Sequence, residues 1–153
     1  MGNCKETLSI EKAVSFLKEI FKAKGYPENS FLENQIISFS YNNLRFTIEI
    51  PLIIKENNQV YFLVDYKPME KLSFFERGVL ALARLFFKPL PYFGLVTNLK
   101  TFALIDLYNF NITKGEKNII PTYDVILSYS PGFSKEFKPD LEKKILVIYL
   151  SGG

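Results

Sequence analysis

Three side chains hold most of the chemistry this chain offers: Glu49, Asp65 and Lys67. Asp65-Tyr66-Lys67 is an acid-x-Lys triplet. Residues two apart in a strand share a face, so a strand here sets carboxylate and ammonium side by side. Such a carboxylate can hold a divalent metal, which polarises a phosphate and lowers the pKa of an attacking water. The ammonium steadies the developing negative charge or orients the water. The triplet alone is unspecific. It recurs as Glu136-Phe137-Lys138 and Glu142-Lys143-Lys144, and the ordinary reading of any one of them is a solvated face.

Hairpin geometry sharpens the case. Leu44, Phe46, Ile48, Ile50, Leu52 and Ile54 alternate with Arg45, Thr47, Glu49, Pro51 and Ile53, and Val60, Phe62, Val64 and Tyr66 alternate with Tyr61, Leu63, Asp65 and Lys67. Both runs have the period of a strand. A loop centred on Asn57 places Glu49 opposite Asp65 and Thr47 opposite Lys67. Opposed Cβ atoms in an antiparallel pair lie about 4.5–5.5 Å apart, and two carboxylates that close repel unless a cation or a proton lies between them. The competing reading is a surface pair relieved by Lys67 and Arg45. Pro51 implies an edge or a bulge in its strand.

A second set is cationic. Arg77, Arg84 and Lys88 follow one line of a helical stretch, with Lys71 just before it. Such a line, with Arg45, can track a phosphate backbone. The plainer reading is long side chains snorkelling at a helix edge.

The elements that must position these groups are legible in outline. Ala13, Phe16, Leu17, Ile20 and Phe21 recur at helical spacing between Ser9 and about Lys24, with Ser9 as cap and Gly25-x-Pro27 as stop. Phe31–Tyr41 reads as a strand, and Asn42-Asn43 as a turn. Ser73-Phe74-Phe75-Glu76 fits a capping box for a largely buried helix running to about Phe87. Tyr92–Thr97 and Thr101–Leu107 read as two strands joined at Asn98-Leu99-Lys100. Tyr123–Ser130 and Leu141–Leu150 fit helix or strand equally. Strands alternating with helices favour an α/β domain with a mixed sheet covered by helices.

Composition bounds the chemistry further. The chain has 153 residues, 48% of them hydrophobic, with fifteen Phe and nine Tyr, enough for one compact domain with a sizeable core. The net charge of +3 is compatible with a phosphate partner. There is no histidine and one cysteine, Cys4. His-based acid/base catalysis, His-ligated zinc, thiolate zinc and an internal disulfide are thereby excluded. Any metal is then a hard cation on oxygen ligands, Mg²⁺ or Mn²⁺. No apolar run approaches the roughly 18 residues that span a bilayer, no signal peptide opens the chain, and the cytoplasm is the expected compartment. Met1-Gly2-Asn3-Cys4-Lys5-Glu6 lacks the Ser or Thr of a myristoylation signal at Glu6.

Gly25-Tyr26-Pro27 after an amphipathic helix, then Glu33, then a hairpin ending Val64-Asp65-Tyr66-Lys67-Pro68, then Tyr92-Phe93-Gly94-Leu95-Val96-Thr97-Asn98, together resemble the N-terminal nuclease domain of type I restriction enzyme motor subunits, within the PD-(D/E)XK nuclease superfamily. The resemblance covers about residues 11–112 and leaves 113–153 as a C-terminal extension of the same single domain. It implies a restriction-endonuclease-like fold, a mixed four- or five-stranded sheet flanked by helices, and Mg²⁺-dependent phosphodiester hydrolysis. It sets Asp65 and Lys67 on the family's acid-x-Lys positions and Glu11 near a first-helix acid, so Glu11, Glu49 and Asp65 are the expected metal ligands. The chain departs from the family at three points. Thr47 stands where the hairpin aspartate belongs, with Glu49 as a substitute. Glu76-Arg77-Gly78 offers no counterpart to the helix glutamine. Leu99 replaces the glycine after Thr-Asn.

Two nuclease-fold functions follow as expectations. One is metal-dependent cleavage of DNA by Glu49, Asp65 and Lys67. The other is a catalytically inactive nuclease fold that binds nucleic acid or a restriction or repair partner. A plain interaction domain, dimeric through its aromatic surface, is a third. Expected partners are nucleic acid, a second copy, or a separate restriction or repair subunit, and no membrane.

Overall fold

A computed structural model describes residues 9–152, and the side chains of 9–150. The reading of Met1–Glu6 and Cys4 lies outside the described residues.

The chain opens with helix α1 (Ile10–Ala23), and Ser9 accepts a hydrogen bond from the Lys12 amide at its start. Gly25 follows at φ +97°, a conformation glycine adopts without strain. The buried stripe of α1 is Ala13, Val14, Leu17 and Phe21. Phe16, expected on that stripe, is 58% exposed, one step off the line that meets the sheet.

A meander follows: β1 (Phe31–Tyr41), β2 (Leu44–Glu56) and β3 (Gln59–Tyr66). Asn42 and Asn43 both take positive φ, the two-residue turn that matches strand twist. Helix α2 (Ser73–Phe86) then crosses over to β4 (Phe93–Thr97), which runs parallel to β3. β5 (Phe102–Asp106) and β6 (Ile112–Gly115) complete a six-stranded sheet in the order β1-β2-β3-β4-β5-β6, antiparallel except at β3–β4. A short α3 (Tyr123–Leu127) and a final α4 (Pro139–Gly152) follow. The architecture is a mixed α/β sheet flanked by helices. The tail, ambiguous in sequence, is helical in both segments. β6, not expected, puts residues 112–115 into the sheet.

Both faces of the sheet are buried. On one, Val14, Leu17 and Phe21 of α1 meet Leu52, Ile54, Phe62, Val64 and Leu95, with Ile126 of α3 closing the end. On the other, Val79, Leu82 and Ala83 of α2, with Leu146 and Tyr149 of α4, meet Ile53, Leu63, Val96 and Ile105. Phe supplies both layers, with Phe39 and Phe75 in one and Phe21, Phe62, Phe93 and Phe102 in the other. Phe62 alone sets its ring against Phe21, Tyr26 and Phe93, with centroids 5.0, 5.7 and 5.6 Å away.

Two departures from regular pairing shape the region of interest. In β3, Tyr61 is an extra residue: Ile54 pairs with Phe62 while Lys55 pairs with Val60. Tyr61 and Phe62 therefore both serve the α1 face. In β1, Asn34 sits at φ +54° opposite Pro51, which has no amide to give. Around this level β2 changes allegiance. Ile48 and Ile50 pack in the α2/α4 layer, whereas Leu52 and Ile54, in the same alternating row, pack in the α1 layer.

Candidate functional site

β2 and β3 stay paired only as far as Leu52↔Val64. Beyond that level β2 continues with β1, and β3 continues with β4 through Asp65↔Val96 and Tyr66↔Thr97. The two strands fork. A cavity of about 240 Å³ opens in the fork, and Ile10, Thr47, Glu49, Asp65, Lys67 and Tyr149 are among its lining residues. The acid-x-Lys pair and Glu49 thus meet at one cavity.

Their arrangement differs from the hairpin expectation. The register Glu49↔Asp65 and Thr47↔Lys67 does not form. The bulge at Tyr61 sets Leu52 against Val64, so the same ladder carried onward would bring Lys67 level with Glu49 and Pro51 level with Asp65. The face also differs. Asp65 follows Leu63 on β3 and turns into the α2/α4 layer, not onto an open face; its side chain is 17% exposed.

There the carboxylate has partners of its own. The Tyr149 hydroxyl of α4 donates a short hydrogen bond to Asp65 Oδ2, and Lys67 Nζ lies 3.7 Å from the same oxygen. The ammonium sits over two rings, 5.0 Å from the Phe75 centroid and 5.3 Å from that of Tyr149. Burial pushes the Asp65 carboxyl above its ordinary range, overriding the opposing pull of Lys67 and of the Tyr149 hydrogen bond. Tyr149 is pushed up as well, by burial first and then by the facing carboxylate.

Tyr149 was not foreseen, and α2 is built to admit it. Gly78 lies in the middle of α2, and a Cβ there would stand 2.8 Å from Tyr149 Cε1 and nearer still to Cδ1 and Cγ. The missing side chain is the notch in which the ring lies. Ring–ring contact with Phe75, centroids 5.5 Å apart at 84°, holds its other side.

The other two expected metal ligands do not both reach the cavity. Glu49 is exposed, and Glu11 is exposed on the first turn of α1, outside the cavity that its neighbour Ile10 lines. Among the described residues, no group of three or more His, Cys, Asp or Glu converges closely enough to hold a metal ion. A hard cation needs ionised oxygen ligands free to coordinate it; burial disfavours ionisation of Asp65, and the Tyr149 hydroxyl and Lys67 already engage its Oδ2, which leaves Glu49 as the one open carboxylate at the cavity. The side chains as arranged do not fit a two-carboxylate Mg²⁺ or Mn²⁺ site.

The cationic line on α2 is likewise taken up. Arg77 and Arg84 both turn to Glu142 of α4. Arg77 Nη2 and Arg84 Nη1 donate to Glu142 Oε2 at 2.9 and 3.1 Å. Glu142 is 1% exposed. Lys88 falls beyond the end of the helix and is exposed, as are Lys71 and Arg45. The other two acid-x-Lys triplets lie on an irregular stretch and on α4, where residues two apart do not share a face. The capping box is not made. Leu72 occupies the N-cap of α2 without a side-chain cap bond, and Glu76, buried, pairs with Lys114 of β6 at 3.4 Å.

Thr97-Asn98 shapes the loop beside Lys67. The Lys67 amide donates to the Thr97 carbonyl at 2.9 Å, and Asn98 Nδ2 donates to the Met69 carbonyl at 2.7 Å. Leu99 then takes φ +78°, a left-handed conformation that favours glycine.

No known protein family, curated protein or solved structure matches the chain. No helix among the described residues is long and apolar enough to cross a membrane.

Proposed function

We propose that this chain is a nuclease-like module that binds nucleic acid without cutting it. The fold side of the reading rests on the resemblance of residues 11–112 to type I restriction nuclease domains. The mixed sheet between helices accords with it, as does the left-handed φ of Leu99, where that family carries glycine. The loss of cutting rests on one observation: the Tyr149 hydroxyl occupies Asp65 at the mouth of the β2–β3 fork. A buried carboxylate already engaged by the Tyr149 hydroxyl and the Lys67 ammonium is a poor ligand for a hard cation. The basic balance of the chain and the exposed Arg45, Lys71 and Lys88 support a phosphate partner.

A second reading, Mg²⁺-dependent cleavage of DNA, is favoured by the convergence of Glu49, Asp65 and Lys67 on one cavity. One pair of assays separates the two. Labelled DNA incubated with the protein and Mg²⁺ or Mn²⁺ should stay intact. In the absence of metal the same DNA should bind, with an affinity that falls steeply as salt rises. Metal-dependent cleavage that disappears in Asp65→Ala and Lys67→Ala overturns the first reading in favour of the second.

A further inference from the structure

We propose that Arg77 and Arg84 form a phosphate-binding fork which Glu142 of α4 fills from within, and which opens to a nucleic-acid phosphate when α4 lifts. This rests on the nucleic-acid reading above and names its site.

Two guanidinium groups on one line of α2 converge on a single carboxylate, with Arg77 reaching it through both terminal nitrogens, at 2.9 and 2.8 Å. Planar guanidinium forks match carboxylate and phosphate alike, so the pocket that Glu142 fills has the donor set of a phosphate site. The internal ligand fits it imperfectly. Arg77 Nη1 and Glu142 Oε1 lie 2.8 Å apart, yet neither atom makes an aligned hydrogen bond. A phosphate offers more acceptor oxygens over a wider range of directions, and satisfies both arginines without a buried, unaligned oxygen.

The same helix covers the acid-x-Lys cavity. Glu142 and Tyr149 are both on α4, so one rigid element closes the arginine fork and the Asp65 site together. It is joined to the rest by residues 129–138, which have no regular structure and are exposed from 132 onward. That tether lets α4 leave α2 without breaking the sheet. Its outer side stays exposed, as at Leu141 and Ile148, so α4 is buried on one side only. A ligand shifts such an equilibrium by as much as it prefers the open form. Two arginines freed together supply that preference.

Glu142→Gln removes the internal charge and keeps the shape. Its affinity for a fluorescein-labelled DNA duplex, read by anisotropy across a salt series, should rise roughly tenfold. The log–log salt slope should steepen by about 2, the yield of two added phosphate contacts. Adding Arg77→Gln and Arg84→Gln should abolish the gain. Wild-type affinity and slope in Glu142→Gln overturn the proposal. Should that variant fail to fold, hydrogen exchange on the wild-type chain decides instead. Saturating DNA should lower the protection of α4 amides, and unchanged or increased protection overturns the fork. Wild-type binding without either effect removes the fork alone. No binding by wild type or by Glu142→Gln removes the nucleic-acid reading with it.

Discussion

Gly78→Ala tests the seat of α4 most directly, because two opposed terms meet at one atom. In a helix interior Ala is favoured over Gly by about 1 kcal/mol, so at an indifferent position the change stabilises. At 78 the new Cβ would stand 2.8 Å from Tyr149 Cε1, well inside the 3.4 Å at which ordinary contact begins. The ring cannot yield easily. Phe75 meets its edge, and its hydroxyl is tied to Asp65. Overpacking of this kind costs about 1–3 kcal/mol, and pulling the hydroxyl off a buried carboxylate adds about 1–3 kcal/mol. The sum exceeds the helix-propensity gain. Gly78→Ala should therefore destabilise the protein by roughly 1–5 kcal/mol, which lowers Tm by roughly 2–4 °C per kcal/mol in a chain of this size.

The decisive comparison is a change of sign. The three atoms nearest that Cβ all belong to the ring, so in a Tyr149→Ala background Gly78→Ala should stabilise, by up to about 1 kcal/mol. Urea unfolding of wild type, both single variants and the double variant gives the coupling directly. If Gly78→Ala stabilises both backgrounds alike, α4 does not lie in the Gly78 notch, and the account of a covered Asp65 fails with it.

Two further outcomes follow, one from the Asp65 site and one from the α1 layer. Burial raises the Asp65 carboxyl, so the folded chain holds that proton more tightly than the unfolded one; the contribution is complete below the unfolded value, near pH 4, and is lost as pH rises through the folded value. Asp65→Asn cannot titrate, so thermal melts from pH 4 to 8 should show wild type losing stability relative to it toward neutral pH, and a wild-type curve that gains on Asp65→Asn overturns that direction. Phe62→Ala empties a fully buried position packed by three rings and should cost about 3–5 kcal/mol, read by urea denaturation, whereas a loss under about 1 kcal/mol would mean that the α1 layer repacks around the gap.

Local rules made much of the fold legible. Ser9, the helical spacing of α1, the Asn42-Asn43 turn and the alternation of β2 and β3 each act within a few residues, and each element stands where those signals put it. The site was harder, because its geometry depends on events that alternation does not encode. The bulge at Tyr61 is set by two aromatic side chains seeking the same α1 layer. Asp65 alternates out of the apolar row of Val60, Phe62 and Val64, yet Ile53 and Leu63, in the row that holds Glu49 and Asp65, are buried as deeply as their neighbours. α4 was unreadable for another reason. Its Ile145, Val147 and Ile148 suit a strand as well as a helix, and the contacts that fix it, from Arg77, Gly78 and Arg84, lie more than fifty residues back along the chain.

Those contacts also join two stretches that lie far apart in sequence, Glu76-Arg77-Gly78 of α2 and the C-terminal residues from 113 onward. In the folded chain they meet residue by residue: Glu76 pairs with Lys114, Arg77 with Glu142, and Gly78 receives Tyr149. Each of residues 76–78 is the seat for a group contributed by the C-terminal segment. A long polar side chain at 78 would fill the notch and leave Tyr149 no place to lie, and Asp65 would then lose its cover. Docking and cover are therefore one structural fact: residues 76–78 of α2 are where the C-terminal segment docks, and α4 docked there is what closes the acid-x-Lys cavity.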